Sequence, residues 1–402
     1  MRKYQNQIQC AFGNICKVFI LITMNLLYDL TATRPSKAAK FSGGGYYAEV
    51  VFFALLKRTR NLIGIYNSKY HINPKILESD IDIYDINQIS PKEIIKKENI
   101  NTFYTSSFHR TGDEWQFKDI RYIITWHGLR ELEMPWNYII LSYANNFKRK
   151  IKVLLRFIMK KHYAKNILNK SSQKKENVEI LTVSEHSKAS ILNFFPQFEK
   201  KQIPVFYPPY MPDEKETGNL PQILEPRKFF LLTSSARWEK NNLRAVWAFD
   251  ELFNQRKDLD FKVVLTGVTE ENIFTKNLKN KGKFIFLGYI ERAELLSLHK
   301  NAYAFIYPSL NEGFGYPPME SMRYGVPVAA SGTSSIPEVC QNAAIYFDPY
   351  NVSEIKNRII QLLDKDIYNE YSARAVERYK IVSERQKQDL EKIVDYILGE
   401  QS

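Results

Sequence analysis

Cysteine is nearly absent. Three cysteines in 402 residues exclude a disulfide-built scaffold. Cys10, Cys16 and Cys340 also lack the paired spacing of a zinc site, which fits a reducing compartment. Glycine (16) and proline (17) are sparse, so low-complexity linkers are not expected. Long apolar runs are missing too. The most apolar stretch, residues 18–30 (VFILITMNLLYDL), is broken by Asn25 and Asp29. It falls short of the ~18–20 residues that a transmembrane helix needs. Arg2 and Lys3 precede it as in a secretory leader, but no small-x-small cleavage site follows, and the run reads as a buried parallel strand. Acidic residues are absent between Glu133 and Glu176.

What is present is an ordinary globular composition, 44% hydrophobic and 25% charged, on a chain long enough for two or three domains. The net charge of +13 is unevenly placed. Residues 1–201 hold 32 Lys+Arg against 17 Asp+Glu, a net of +15; residues 202–402 hold 25 against 27, a net of −2. Within the first half, residues 148–175 carry 11 basic side chains interleaved with Ile151, Leu154, Leu155, Phe157, Ile158 and Met159. Two readings stay open: a cationic amphipathic helix at an anionic membrane surface, or a core-packed helix with a solvated basic face. Nucleic acid is not an expected partner, because no stacking-aromatic motif accompanies the charge.

Short β-branched runs alternate with helix-compatible segments in both halves. In the first half, strands are expected at 17–24, 61–65, 122–125 and 178–183, with helices at 46–56 and within 135–175. In the second half, strands are expected at 229–233, 261–266, 284–287, 304–307, 328–330 and 344–347. Helices are expected there at 241–253, 291–300, 317–324 and from 352 onward. A stretch with four prolines, 203–218, separates the halves. The division is thus 1–205 and 219–385, joined by a linker at 206–218, with a terminal helix at 386–402 that could cross back to the first domain. Such alternation predicts an α/β protein of two doubly wound, Rossmann-like domains with a ligand cleft between them.

The segment YPSLNEGFGYPPMESMRYGVPVAAS (307–331) concentrates chemistry. Glycines 313 and 315 permit close backbone approach to a ligand. Pro317 and Pro318 open a helix whose first turn is expected to hold Glu320, while Glu312 lies in the loop. Two glutamates at this spacing are weak evidence alone; the whole segment is specific. Arg237 and Lys240 follow a strand and open a helix, where two cations can hold a diphosphate. His127 follows the run YIITW. Gly43, Gly44 and Gly45 precede a helix but lack the order of a P-loop or dinucleotide fingerprint. Asp80 and Asp82 read as an exposed turn before a strand.

On these residues the sequence resembles the retaining glycosyltransferases of glycosyltransferase family 4, of the GT-B fold, in its mannosyl- and rhamnosyl-type members. The resemblance rests on NEGFGYPPMESMRYGVPVAASGTSSIPEV (311–339), AIYFDPYNVSEI (344–355), SSARWEKNNLRAVWAF (234–249), VVLTG (263–267) and FLGYIERAELLSLHKNA (286–302). It is thinner at FSGGGYYAEVV, TWHGLRELE (125–133) and VSEHSKASI (183–191), where the serines match better than His186. The resemblance implies that Glu320 accepts from the nucleotide ribose and that Glu312 addresses the donor sugar. It further implies that Phe314 and Gly315 offer backbone N–H groups, that Arg237 and Lys240 stabilise the departing diphosphate, and that His127, beside the donor sugar, orients it or stabilises the transition state. Gly44 and Gly45 would lie near the diphosphate and acceptor.

The activity so implied is metal-independent transfer of a hexose, with retention, from a GDP- or UDP-linked sugar. The acceptor would be a glycan or lipid-linked saccharide in cell-surface polysaccharide synthesis. No cofactor besides the nucleotide sugar is expected. The enzyme would be cytoplasmic, peripheral on the inner face of the cytoplasmic membrane. Two alternatives carry the same fold: a non-catalytic partner subunit, and a sugar-nucleotide epimerase or hydrolase.

Overall fold

The computed structural model describes residues 24–33, 43–106, 117–144, 146–172, 177–209 and 218–400. Twelve short strands form two six-stranded parallel sheets. The first contains β1 (Leu26–Asp29), β2 (Leu62–Tyr66), β3 (Ile83–Asp85), β4 (Thr102–Thr105), β5 (Arg121–Trp126) and β6 (Val178–Thr182), in the order β3-β2-β1-β4-β5-β6. The second contains β7 (Phe229–Leu232), β8 (Lys262–Leu265), β9 (Phe284–Phe286), β10 (Ala304–Tyr307), β11 (Val328–Ser331) and β12 (Ala344–Phe347). Its order, β12-β11-β10-β7-β8-β9, repeats the first sheet's winding. In each sheet the direction of winding reverses beside the first strand, between β1 and β4 and between β7 and β10. Crevices at such reversals, beyond the carboxyl ends of the strands, are where doubly wound sheets take ligands.

The strands read as continuous apolar runs because helices cover both faces. In β7, Phe229 and Leu231 enter one core and Phe230 and Leu232 the other, following the two-residue period of a strand. The strand expected at 17–24 lies outside the described residues except for Met24; the strand found in that apolar run is β1. β3 is the strand expected after the turn at Asp80 and Asp82, and β4 adds one that the sequence pattern did not reveal. Asp80 and Asp82 lie exposed just before β3.

A 34-residue helix, Lys365–Leu398, spans both units. Its buried positions recur every three or four residues, as on one face of a helix. Ala375 and Val382 join the core of the second unit, whereas Leu390, Ile393, Val394 and Ile397 join Tyr28, Phe52 and Tyr104 in the first. Polar contacts fix it there. Arg121 donates to the carbonyls of Tyr396 (2.9 Å) and Ile397 (3.0 Å) while pairing with Glu179 at 2.7 Å. Asp389 accepts the backbone N–H of Tyr207 at 2.8 Å, and Gln386 donates to the Pro208 carbonyl at 2.6 Å. Gly399, at φ +71°, ends the helix in the left-handed conformation. Among the described residues, no helix is long and apolar enough to cross a membrane.

Candidate active site

The loops after β7 and β10, the two strands flanking the reversal, build one charged cluster. After β7 the chain turns through Ser234 and Asn241, both at positive φ. Asn242 fixes this turn by donating to the Thr233 carbonyl (2.9 Å) and the Ser235 hydroxyl (2.8 Å). The turn buries Lys240 and leaves Arg237 half exposed. After β10, Glu312 is buried. Its Oε1 accepts from Lys240 Nζ at 2.6 Å and from the Ser309 hydroxyl. Lys240 also donates to the Tyr307 hydroxyl at 3.0 Å. Burial alone would raise the Glu312 carboxyl; Lys240, Arg130 and Arg237 overcome it and hold the group at about 2. Burial pushes the Lys240 ammonium down to about 8, with Glu312 restraining the fall.

The first unit inserts Arg130 into this cluster. Its guanidinium donates to the Asn311 carbonyl (3.2 Å), to Glu239 Oε1 (3.1 Å) and to Glu312 Oε2 (3.5 Å). Glu239 Oε1 also accepts from Arg237 Nε at 2.9 Å. Three cations therefore face two carboxylates, which leaves the cluster with a surplus of positive charge. Glu239 lies between Arg237 and Lys240 in sequence, and that proximity was the available signal for it. Arg130 sits in the quoted TWHGLRELE segment but carries no signal of its own, since its partners lie more than 100 positions away.

His127 stands at the carboxyl end of β5. Burial pushes its imidazole down to about 4, so the ring is neutral near pH 7. The ring packs edge-on against Tyr47, with centroids 4.8 Å apart. Its Nε2 is buried and, among the described residues, has no hydrogen-bond partner. The His127 carbonyl lies directly against Gly313, where any Cβ would fall far inside the 3.0 Å that real Cβ atoms keep. The Gly313 carbonyl in turn accepts from the hydroxyls of Ser184 (2.7 Å) and Ser187 (3.3 Å). Those two serines begin the helix Glu185–Phe194, whose first backbone N–H groups, at Glu185 and His186, donate to Glu338 across the interface at 3.0 Å each. The His186 ring pairs with Glu133 at 3.1 Å, and Glu133 accepts from the Asn311 amide.

Glu320 lies apart from this cluster. The helix Tyr316–Met322 starts at Tyr316, so Glu320 is its fifth residue and not in its first turn as expected. Its carboxylate pairs with Arg292 at 2.5 Å and with His299 Nε2 at 3.2 Å. His299 Nδ1 shares a hydrogen bond with Ser321 Oγ at 2.7 Å. Burial opposes ionisation of Glu320, but Arg292 and His299 hold it at about 2. Arg292 and His299 are seven residues apart on the helix Arg292–Asn301, hence on one face, a spacing visible in the sequence but unused. Phe314 is buried against Tyr207 and Tyr316, so only its backbone can serve a ligand. Gly315, at φ +106°, turns the chain into the helix. Gly44 and Gly45 belong to the first turn of the helix Gly43–Arg58, not to a loop. Gly43 there faces the Tyr316 ring of the second unit, while Gly44 has open space around it.

Comparison with known proteins fits this geometry. Residues 215–380 match the model of the family described as glycosyl transferases group 1. An O-antigen chain mannosyltransferase, RfbU of Salmonella typhimurium, is 30% identical over 260 residues, 62% of this chain and 64% of that protein. O-antigen chain mannosyltransferase B of Escherichia coli is 32% identical over 136 residues, 33% of this chain and 36% of that one. The chain thus spans between about one third and two thirds of the length of these relatives. Among solved structures, WaaG, a glycosyltransferase involved in lipopolysaccharide biosynthesis, superposes with a TM-score of 0.66 at 12% identity, over 93% of this chain and 100% of that one. Anabaena Alr3699/HepE in complex with UDP and glucose gives 0.62 at 14% identity, over 94% and 100%. These likenesses establish the fold across both sheets, and the family match covers the half that carries Arg237, Lys240, Glu312 and Glu320. Residues 215–380 are thus similar to the glycosyl transferases group 1 family, and the chain as a whole is built on the GT-B fold.

Proposed function

We propose that the protein transfers mannose, with retention, from a nucleotide diphosphate sugar to a glycan or lipid-linked saccharide during cell-surface polysaccharide synthesis. The observation that carries this reading is the cluster of Arg237, Lys240 and Arg130 around Glu312 at the reversal between β7 and β10. The choice of mannose follows from the names of the two O-antigen relatives. In this reading the donor's diphosphate takes Arg237 and Lys240 as partners, and the charge growing on it as the glycosidic bond breaks is met by cations already in place. The two cations do the work that a divalent ion does in other transferases. Glu312, held ionised, and the neutral His127 ring with its unpartnered Nε2 address the sugar. The acceptor hydroxyl forms its bond to the anomeric carbon on the face the diphosphate leaves. Its proton passes to a diphosphate oxygen. Glu320, oriented by Arg292 and His299, accepts from the ribose hydroxyls.

The test is thermal denaturation with GDP, UDP and other nucleoside diphosphates, followed by the anomeric configuration of the product by NMR. A ligand at a hundred times its Kd stabilises the folded state by about 2.7 kcal/mol. GDP or UDP should raise Tm, and Glu320→Ala should abolish the rise. If no nucleoside diphosphate shifts Tm, or Glu320→Ala keeps the full shift, the assignment fails. A product with inverted configuration would refute retention.

A further inference from the structure

The basic segment of the first unit forms one helix, Phe147–Ser172, and its apolar side chains are not in a core. Phe147, Ile151, Leu154, Leu155, Ile158 and Met159 are each between 43% and 76% exposed. At about 100° per residue these six fall within an arc of about 140°, a single stripe. The helix meets the body of the protein on its other side, where the Phe157 ring packs against Trp136 with centroids 4.9 Å apart. Half-buried Val153 lies one turn from Phe157 on that same side. Trp136 and Tyr138, in the segment before the helix, are exposed as well. Of the sixteen large apolar side chains exposed among the described residues, eight lie between 136 and 159.

The charges around the stripe decide what covers it. Lys148, Arg149, Lys150 and Lys152 are all exposed on the helix. No acidic residue occurs from 134 to 175. A second copy of this chain would bring the same cations, on a molecule of net charge +13, against them. A solvated helix face, for its part, has no use for six bare apolar side chains in register. Lys150 and Lys152 border the bare apolar stripe and Lys148 stands within it, the arrangement that settles into the headgroup boundary of a bilayer rich in anionic lipid.

We propose that the helix Phe147–Ser172 is the surface by which this protein docks, in the plane of the interface, on an anionic lipid bilayer. The inference extends the reading of the protein as a transferase with a lipid-linked acceptor, but it stands on the helix alone. The helix follows the segment carrying Arg130 and Glu133, and the Trp136–Phe157 contact joins the two. A docked helix would therefore place the lipid surface beside the cleft that receives Arg130.

The experiment is co-sedimentation of the full chain with vesicles of phosphatidylglycerol in phosphatidylcholine and with vesicles of phosphatidylcholine alone, without nucleotide. Binding to the anionic vesicles is expected, weakening as salt shortens the Debye length from ~10 Å at 0.1 M to ~3 Å at 1 M. The variant L155E/I158E should lose binding with no fall in Tm, because both side chains are exposed. Replacing Lys148, Arg149, Lys150 and Lys152 by Gln should lower the partition coefficient by about a hundredfold or more. Equal binding to both vesicle types, or full binding by either variant, would overturn the proposal. So would a wild-type dimer in light scattering that L155E/I158E converts to monomer. A nucleotide-induced Tm shift measured without vesicles separates this result from the donor reading, since either can fail alone.

Discussion

Gly313→Ala is the sharpest probe of the interface between the two units. The new methyl group would enter the space of the His127 carbonyl oxygen, which is backbone and cannot swing aside. One of two things must yield. If the loop distorts locally, the cost is that of overpacking, about 1–3 kcal/mol. If the units part instead, the Gly313 carbonyl withdraws from the Ser184 and Ser187 hydroxyls, at about 1 kcal/mol for each hydrogen bond. Either way Glu312, the preceding residue, shifts relative to His127 and Arg130. A displacement on the order of 1 Å in a catalytic site costs about a hundredfold in rate. The expected result is a fall in kcat/KM of about that size with a Tm loss of a few degrees, by steady-state kinetics and calorimetry. Gly282→Ala serves as the control, since a Cβ there meets nothing within 4 Å. Wild-type kcat/KM and Tm in Gly313→Ala would show that the contact between His127 and Gly313 plays no part in the working enzyme.

Two further outcomes follow from the charged and buried groups. Lys240 carries its proton below about 8 and loses it as pH rises through that value, so kcat/KM should fall on the alkaline side with an apparent pKa near 8. Glu312 stays ionised down to about 2 and adds no acid limb in the accessible range; a rate flat to pH 10 would remove Lys240 from the chemistry. Asp389→Ala should destabilise the protein by about 1–3 kcal/mol, because the buried Tyr207 N–H loses its acceptor. Urea unfolding monitored by circular dichroism checks this, and an unchanged midpoint would contradict it.

How far the sequence revealed this architecture depends on how local each feature is. Arg237, Lys240, Glu312 and Glu320 could be singled out as candidates because short chain segments between strand and helix carry them. Phe229–Leu232 and Ala304–Tyr307 were legible as strands because four consecutive buried residues leave an unbroken apolar run. β4 was not, since a four-residue strand of Thr, Phe and Tyr carries too little apolar pattern, and β3 was announced only by the turn before it. In residues 18–30 the hydropathy located the buried segment but not its pairing, which register with β2 and β4 places at Leu26–Asp29. Whether the helix Phe147–Ser172 was core or surface could not be decided from periodicity, which is the same in both cases; exposure distinguishes them. Arg130 was invisible because its meaning comes from carboxylates on another domain.

The helix Lys365–Leu398 also limits how the two units can move. The chain passes from the first unit to the second near residues 203–209 and returns through this helix, and the two passages are bonded to each other at Tyr207–Asp389 and Pro208–Gln386. They form a spine, like the binding of a book. A hinge motion about that spine would keep its hydrogen bonds and strain the contacts of Arg130 with Glu239 and Glu312 and of Gly313 with Ser184. Apolar packing would be strained as well, because Ile139 and Val183 of the first unit lie in the cores of the second.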